Sequence, residues 1–278
     1  MDNLSLTVPQ GAVFALLGDN GAGKSTTIRI LNGLTPPDRG HARVLGYDAW
    51  EDAWMLRQRI GYVPERPKFY DWMTVSEVGW FTSGFQKRGY LDRYFDLTDQ
   101  FDLDPRARLG TLSKGQYAKV GLSLALAIDP EVLILDEPTS GLDLLVRREF
   151  LGSMVSLAGQ GRTILISSHQ VAEIERVASH VAFLARGRAL LVATMDELRN
   201  LVVRVRARCE GPLPAAGTLG TVLHEQRLGG SWQVILRDPD RGALERLRWA
   251  PGVSGYEETA PGLEEVYCAL LGRKDGKP

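Results

Sequence analysis

Apolar residues along this chain come in two kinds of block. Residues 13–17 (VFALL), 60–63, 132–135 (VLIL), 163–167 and 181–184 are short and nearly unbroken apolar runs. Runs of this length without polar alternation predict strands covered on both faces. Residues 42–44 fit a further strand. Between these runs lie longer segments of helical character: from Lys24 to the breakers at 33–37, from about 74 to 104, from Ser113 onward, 144–157 and 171–178. In the segment from 74, Val75, Val78, Phe81 and Phe85 recur at i, i+3, i+6 and i+10, the spacing of one helix face. Strands alternating with helices predict an α/β fold on a mostly parallel sheet.

After about Asn200 the pattern changes. Residues 202–209 (VVRVRARC) alternate apolar and basic positions, as a half-exposed strand does. A hairpin is predicted around Gly229 and Gly230, then a helix at 242–249, a strand at 253–259 and a last helix at 263–271. The expected organisation is one large domain over 1–199 and a small α+β appendage over 200–278. No internal repeat or low-complexity tract breaks either part. Arg204, Arg206 and Arg208 share a strand face, which suits an anionic partner or, more simply, solvent.

Composition narrows the function classes. The 278 residues, 44% of them hydrophobic, supply a sizeable core. A formal net charge of -1 gives no basic field, so no nucleic-acid partner is expected. Cys209 and Cys268 have no metal-ligand spacing and read as ordinary thiols. The start lacks a basic segment followed by a long apolar one, so no signal peptide is expected. The longest apolar runs, near 120–128 and 132–135, fall short of the roughly 18 residues a bilayer demands. Any membrane-spanning function would need another chain.

Residues 18–25 (GDNGAGKS) match GxxxxGK[ST], with a predicted strand before and a helix after. Glycines let backbone N–H groups curl round phosphates, and the helix start adds partial positive charge. In this pattern Lys24 reaches β- and γ-phosphates and the Ser25 hydroxyl ligates Mg²⁺. The run 132–135 ends in Asp136-Glu137. Two carboxylates beside such a loop suggest divided labour: Asp136 takes the metal, and Glu137 polarises an attacking water as general base. Without the loop, the pair would read as a solvated turn. Residues 112–116 (LSKGQ) begin a helix with Ser113 as N-cap, a second anion-binding helix start. By itself Glu65, after Gly-Tyr-Val-Pro, suits a solvated loop, and His169 suits a structural role.

Taken together, GDNGAGKST, LSKGQ, VLILDEP, SGLD and SSH resemble, in order, the motifs of the ATP-binding subunit of an ABC transporter. The likeness covers about residues 4–195. It implies a P-loop ATPase with a helical signature subdomain at about 72–128, using ATP and Mg²⁺. Gly18, Asp19, Asn20, Gly21, Ala22, Gly23, Lys24, Ser25 and Thr26 would cradle the phosphates. Ser113, Gly115 and Gln116 would meet the ATP of a second ATP-binding subunit, identical or different, in a head-to-tail dimer. Glu137, Lys24 and His169 are the implied catalytic residues, with His169 sensing the γ-phosphate. Asp143 would couple the two sites, and Ser25, Asp136 and Glu65 would serve the metal. Motion would pass through residues 69–77 to separate transmembrane permease subunits, at the cytoplasmic face of the membrane. The tail PGLEEVYCALLG is similar to the drug- and polysaccharide-exporter branch. An alternative is a soluble ATPase of the same family acting on ribosomes or DNA, against which the single uninterrupted cassette counts.

Three departures from the family pattern stand out. Position 65 carries Glu where the family has Gln. Lys114 replaces a glycine of the signature, where its ammonium either attracts the partner's ATP or is simply solvated. No Tyr, Trp or His precedes Gly18 to stack on adenine, and the early strand that the family places there has no clear counterpart. Either the natural start lies upstream or the base is held weakly, and a missing strand would expose a sheet edge.

Overall fold

A computed structural model describes residues 2–209, 215–228 and 230–272. The chain divides into two compact units: Met1–His169 with Val177–Ala189, and Gln170–Arg176 with Leu190–Pro278.

In the first unit β1 (Val13–Leu17) is buried at every position, and α1 (Lys24–Leu31) follows it. A small separate hairpin joins β2 (Arg43–Val44) to β3 (Tyr47–Asp48). Leu45 and Gly46 turn it with φ of 54° and 83°, the left-handed pair that suits tight hairpins. The strand expected at 42–44 therefore lies outside the main sheet. Then come α2 (Ala53–Leu56), β4 (Ile60–Val63), α3 (Val75–Ser83), α4 (Tyr90–Gln100), α5 (Lys114–Leu126), β5 (Val132–Asp136), α6 (Leu144–Gly159), β6 (Thr163–Ser168) and β7 (His180–Ala185). Strands β4-β5-β6-β1-β7 are neighbours in that order and all parallel. Their register places Leu17 opposite Ser168, and Asp136 opposite Ser167. The carboxyl ends of β1, β5 and β6 thus finish side by side, where ligand loops of open parallel sheets gather.

The single helical stretch expected over 74–104 is two helices. Val75 and Val78 are buried, but Phe81 is 45% and Phe85 76% exposed. The chain reverses after Ser83, and Gly89 starts α4 with φ 84°. A Cβ on Gly79 would stand 2.1 Å from the Tyr94 ring, so only glycine lets α4 pack this closely on α3. Phe81 lies within α3 on a flank turned to solvent, and Phe85 falls beyond the reversal, so neither shares the buried stripe. Met73, Val75, Val78, Tyr90, Tyr94, Leu109 and Val120 form the core of this helical lobe. Before β1 there is no named strand among the described residues. Leu4, Leu6 and Val8 are half-buried at alternate positions and pack on the sheet's core.

The second unit contains α7 (Val171–Ile174), most of β8 (Arg188–Thr194), α8 (Met195–Leu201), β9 (Val202–Cys209), β10 (Thr221–Leu228), β11 (Ser231–Arg237), α9 (Arg241–Arg248), β12 (Val253–Thr259) and α10 (Leu263–Leu270). Its sheet runs β10-β11-β9-β12, antiparallel throughout. Val203, Val205 and Ala207 point to one face, against Trp232, Val234, Leu236 and α9. Of the predicted hairpin, Leu228 pairs with Ser231, while Gly229 lies outside the described residues. The helix expected at 171–178 is a single turn, and β8 and α8 add to the elements that the apolar pattern predicts. Arg204 is not a free cation: its Nη1 donates to both Glu265 oxygens at 2.7 and 2.8 Å, and its Nε donates to Thr259 Oγ1.

Candidate functional site

The phosphate loop is shaped by backbone needs. Gly21 and Gly23 adopt φ of 81° and 108°. A Cβ on Gly18 would meet the Leu184 carbonyl at 2.6 Å and the Ala22 Cβ at 2.9 Å. The loop closes on itself through Ala22 N–H to Asp19 O, and Gly187 N–H binds Ala22 O. Asn20 and Gly21 are exposed at its tip, and Thr26 is exposed in the first turn of α1. Lys24 turns inward instead. Its ammonium donates to Gly18 O at 2.6 Å and lies 3.4 Å from Asp19 O.

That ammonium also lies 3.0 Å from Glu137 Oε1, with side chains only 5% and 8% exposed. The approach is off hydrogen-bond angle, so Oε1 has charge compensation without a hydrogen bond. Glu137 Oε2 accepts from the His169 backbone N–H at 3.2 Å and contacts His169 Nδ1 at 2.8 Å. With Nδ1–H donating, Nε2 is left to face outward on a ring that is 41% exposed. Next to it, Asp136 Oδ1 accepts from Ser25 Oγ at 3.2 Å and from Ser167 Oγ at 2.6 Å. Asp136 is 5% exposed. The ends of three adjacent strands thus bring Lys24, Ser25, Asp136, Glu137 and His169 into one constellation.

The remaining candidates sit elsewhere in this unit. Ser113 and Gln116 bind each other in a capping box: Gln116 N–H donates to Ser113 Oγ, and Ser113 N–H to Gln116 Oε1. Gly115 is buried against Val146, where a Cβ would stand 2.9 Å from Cγ1. Asp143 caps α6, accepting from Leu145 and Val146 N–H at 3.0 Å. Glu65 is 43% exposed and pairs with Arg66 at 3.7 Å. It lines a cleft of about 550 Å³ together with Lys114, Ser140 and Gly141. Lys114 lies along Gly141, with Nζ 3.3 Å from where a Cβ would be. One residue of the constellation is absent from the sequence-based candidates, Ser167. Its signal is the first serine of Ser167-Ser168, where the apolar run of β6 ends just before His169.

Among the described residues no three His, Cys, Asp or Glu side chains cluster as a metal site, and no helix is long and apolar enough to cross a membrane.

The family model described as "ABC transporter" matches residues 1–140. The daunorubicin/doxorubicin resistance ATP-binding protein of Streptomyces peucetius is 32% identical, over 98% of this chain and 88% of that protein. The Nod factor export ATP-binding protein I of Burkholderia orbicola is 31% identical over 99% and 92%. A solved ATP-binding subunit of an ABC transporter superposes with TM-score 0.64 at 33% identity, covering 71% of this chain and 84% of that one. Phosphate loop, paired carboxylates and histidine meet at one sheet edge in a chain with these relatives, and the chain belongs to the ABC transporter family as one of its ATP-binding subunits.

Proposed function

We propose that this chain hydrolyses ATP as half of a nucleotide-closed dimer and so drives a membrane exporter. The observation that carries the chemistry is the buried arrangement Lys24–Glu137–His169. Among the described residues, Glu137 is the one carboxylate held between the loop lysine and the histidine. It has one oxygen, Oε1, without a hydrogen bond. Lys24 moves from Glu137 to the phosphates, and Glu137 then accepts the proton of the attacking water. His169, held through Nδ1, presents Nε2 towards the γ-phosphate.

Mg²⁺ suits the donor set. One hydroxyl and one carboxylate, Ser25 and Asp136, stand 3.2 Å apart. A hard cation that keeps waters and takes phosphate oxygens needs no more protein ligands than these. When bound, it neutralises charge developing on the phosphates. Glu65, in the cleft it shares with Lys114, would meet this metal only through water, a contact that a glutamine could also make.

Dimer formation is supported by what the start of α6 exposes. Leu144 and Leu145 are 65% and 70% exposed beside Asp143. In the dimer they are covered, while Ser113, Gly115 and Gln116 of one copy complete the partner's phosphate site. Permease docking is supported by exposed aromatics on the helical lobe: Tyr70 stacks on Trp72, and Trp80 is 68% exposed. Export rests on relatives named for drug resistance and Nod factor export, and the cytoplasmic face is the location this reading requires, as the side where ATP is supplied.

The decisive experiment is Glu137→Gln. We expect hydrolysis to fall at least about a hundredfold, since a positioned general base contributes on that order. The variant should elute as a dimer with ATP and as a monomer without it. A variant that hydrolyses normally, or stays monomeric with ATP, would sink the reading.

A further inference from the structure

Ser167 is fully buried at the carboxyl end of β6. A hydroxyl in an apolar strand costs free energy unless both its donor and its acceptor are used. Here both are used, and on successive residues. The hydroxyl donates to Asp136 Oδ1 at 2.6 Å, a short charge-assisted bond. Its oxygen accepts from the Glu137 backbone N–H at 2.9 Å. The Ser167 carbonyl accepts from the same N–H at 3.2 Å.

The second bond matters because Glu137 is strained. Its φ is 48°, the left-handed region that residues other than glycine rarely adopt. That turn swings the Glu137 side chain off the strand direction towards Lys24 and His169. A conformation of this kind persists only where neighbours hold it. The first bond fills one lone pair of Asp136 Oδ1, which also meets Ser25. It fixes the carboxylate's plane and the oxygen edge offered beside Ser25.

We propose that Ser167 is a positioning residue for both carboxylates, orienting Asp136 for the metal of a bound nucleotide and holding Glu137 in its catalytic turn. This rests on Asp136 as metal ligand and Glu137 as general base in the proposed ATPase reaction. It predicts an effect on metal-dependent nucleotide binding, which a residue needed only for packing would not show.

The test is calorimetric titration of ADP into the full chain, with Mg²⁺ and with EDTA. In Ser167→Ala the affinity in EDTA should stay within about twofold of the parent. The gain in affinity on adding Mg²⁺ should shrink about tenfold, and Ser167→Thr, which keeps the hydroxyl on a strand, should restore it. If Ser167→Ala does not fold, Ser167→Cys preserves the volume with a poorer donor and should show the same loss. A full Mg²⁺ gain in folded Ser167→Ala or Ser167→Cys overturns the proposal. Asp136→Asn, run in parallel, separates the two readings. Loss of the gain in Asp136→Asn but not in the Ser167 variants refutes Ser167 alone. Retention in Asp136→Asn refutes the metal role of Asp136, and the proposal with it.

Discussion

Lys24 and Glu137 hold each other in the buried centre of the site, Nζ 3.0 Å from Oε1. One belongs to the loop after β1 and the other to the end of β5. Breaking a buried pair by removing one partner leaves an uncompensated charge and costs about 3–5 kcal/mol. Removing both costs less. Without nucleotide, Lys24→Met and Glu137→Gln should each lower the melting temperature by roughly 6–20 °C, at about 2–4 °C per kcal/mol. The double variant should lose clearly less than the sum. Additive losses would show that the two side chains do not interact in solution. Saturating ADP should weaken the coupling, because Lys24 then has phosphate to bind.

Glu65 stands in the cleft with Lys114 and is bonded to neither Ser25 nor Asp136. In the proposed site its charge would add repulsion near the γ-phosphate, and the exposed Arg66, 3.7 Å away, compensates it only weakly. Glu65→Gln should keep or raise the ATPase rate, measured as phosphate release at saturating Mg²⁺. A loss of tenfold or more would mean that the carboxylate has a specific role in the reaction.

Gly18 has no room for a side chain. The obstacles at 2.6 and 2.9 Å are a β7 carbonyl and Ala22, and the former belongs to a fully buried strand segment. Gly18→Ala should displace the loop, lowering nucleotide affinity at least about tenfold, a change of about 1.4 kcal/mol. Titration of a fluorescent ADP analogue reads this directly, and unchanged affinity would contradict the packing.

In the second unit, Arg204 Nη1 donates to both oxygens of Glu265, at 18% and 35% side-chain exposure, while Nε donates to Thr259 Oγ1. Arg204→Lys retains the charge but cannot serve Glu265 and Thr259 at once, as Nη1 and Nε do together. We expect it to be nearly as destabilising as Arg204→Ala, by about 1–2 kcal/mol after allowance for partial solvent screening. Denaturant unfolding of the two variants tests this; a lysine as stable as arginine would show that charge alone matters.

Much of the site is legible in the sequence because its pieces are contiguous. A phosphate loop is a run of neighbouring residues whose glycines answer local backbone demands. The pair Asp136-Glu137 announces itself at the end of an apolar run. The N-cap at Ser113 is also local, whereas the capping box of Thr194 with Glu197 that starts α8 lies outside the apolar pattern. The helical stretch from 74 to 104 reads as one helix because periodicity does not reveal a reversal. Gly89 and the contact of Gly79 with Tyr94 impose one.

By itself the sequence determined the alternation of strands and helices, the glycine loop proposed to cradle phosphate and the adjacency of the two carboxylates. Each depends on residues close in the chain, through hydrogen-bond geometry and the spacing of apolar side chains. Only the tertiary structure decided what these groups touch. Ser25 and Asp136 are 111 positions apart and meet because α1 and β5 deliver them to the same edge of the sheet. The register that sets Asp136 opposite Ser167 converts a serine to which the SSH pattern assigns no role into a partner of both carboxylates. Parallel pairing across distant segments depends on the packing of the whole sheet, and no local pattern encodes it.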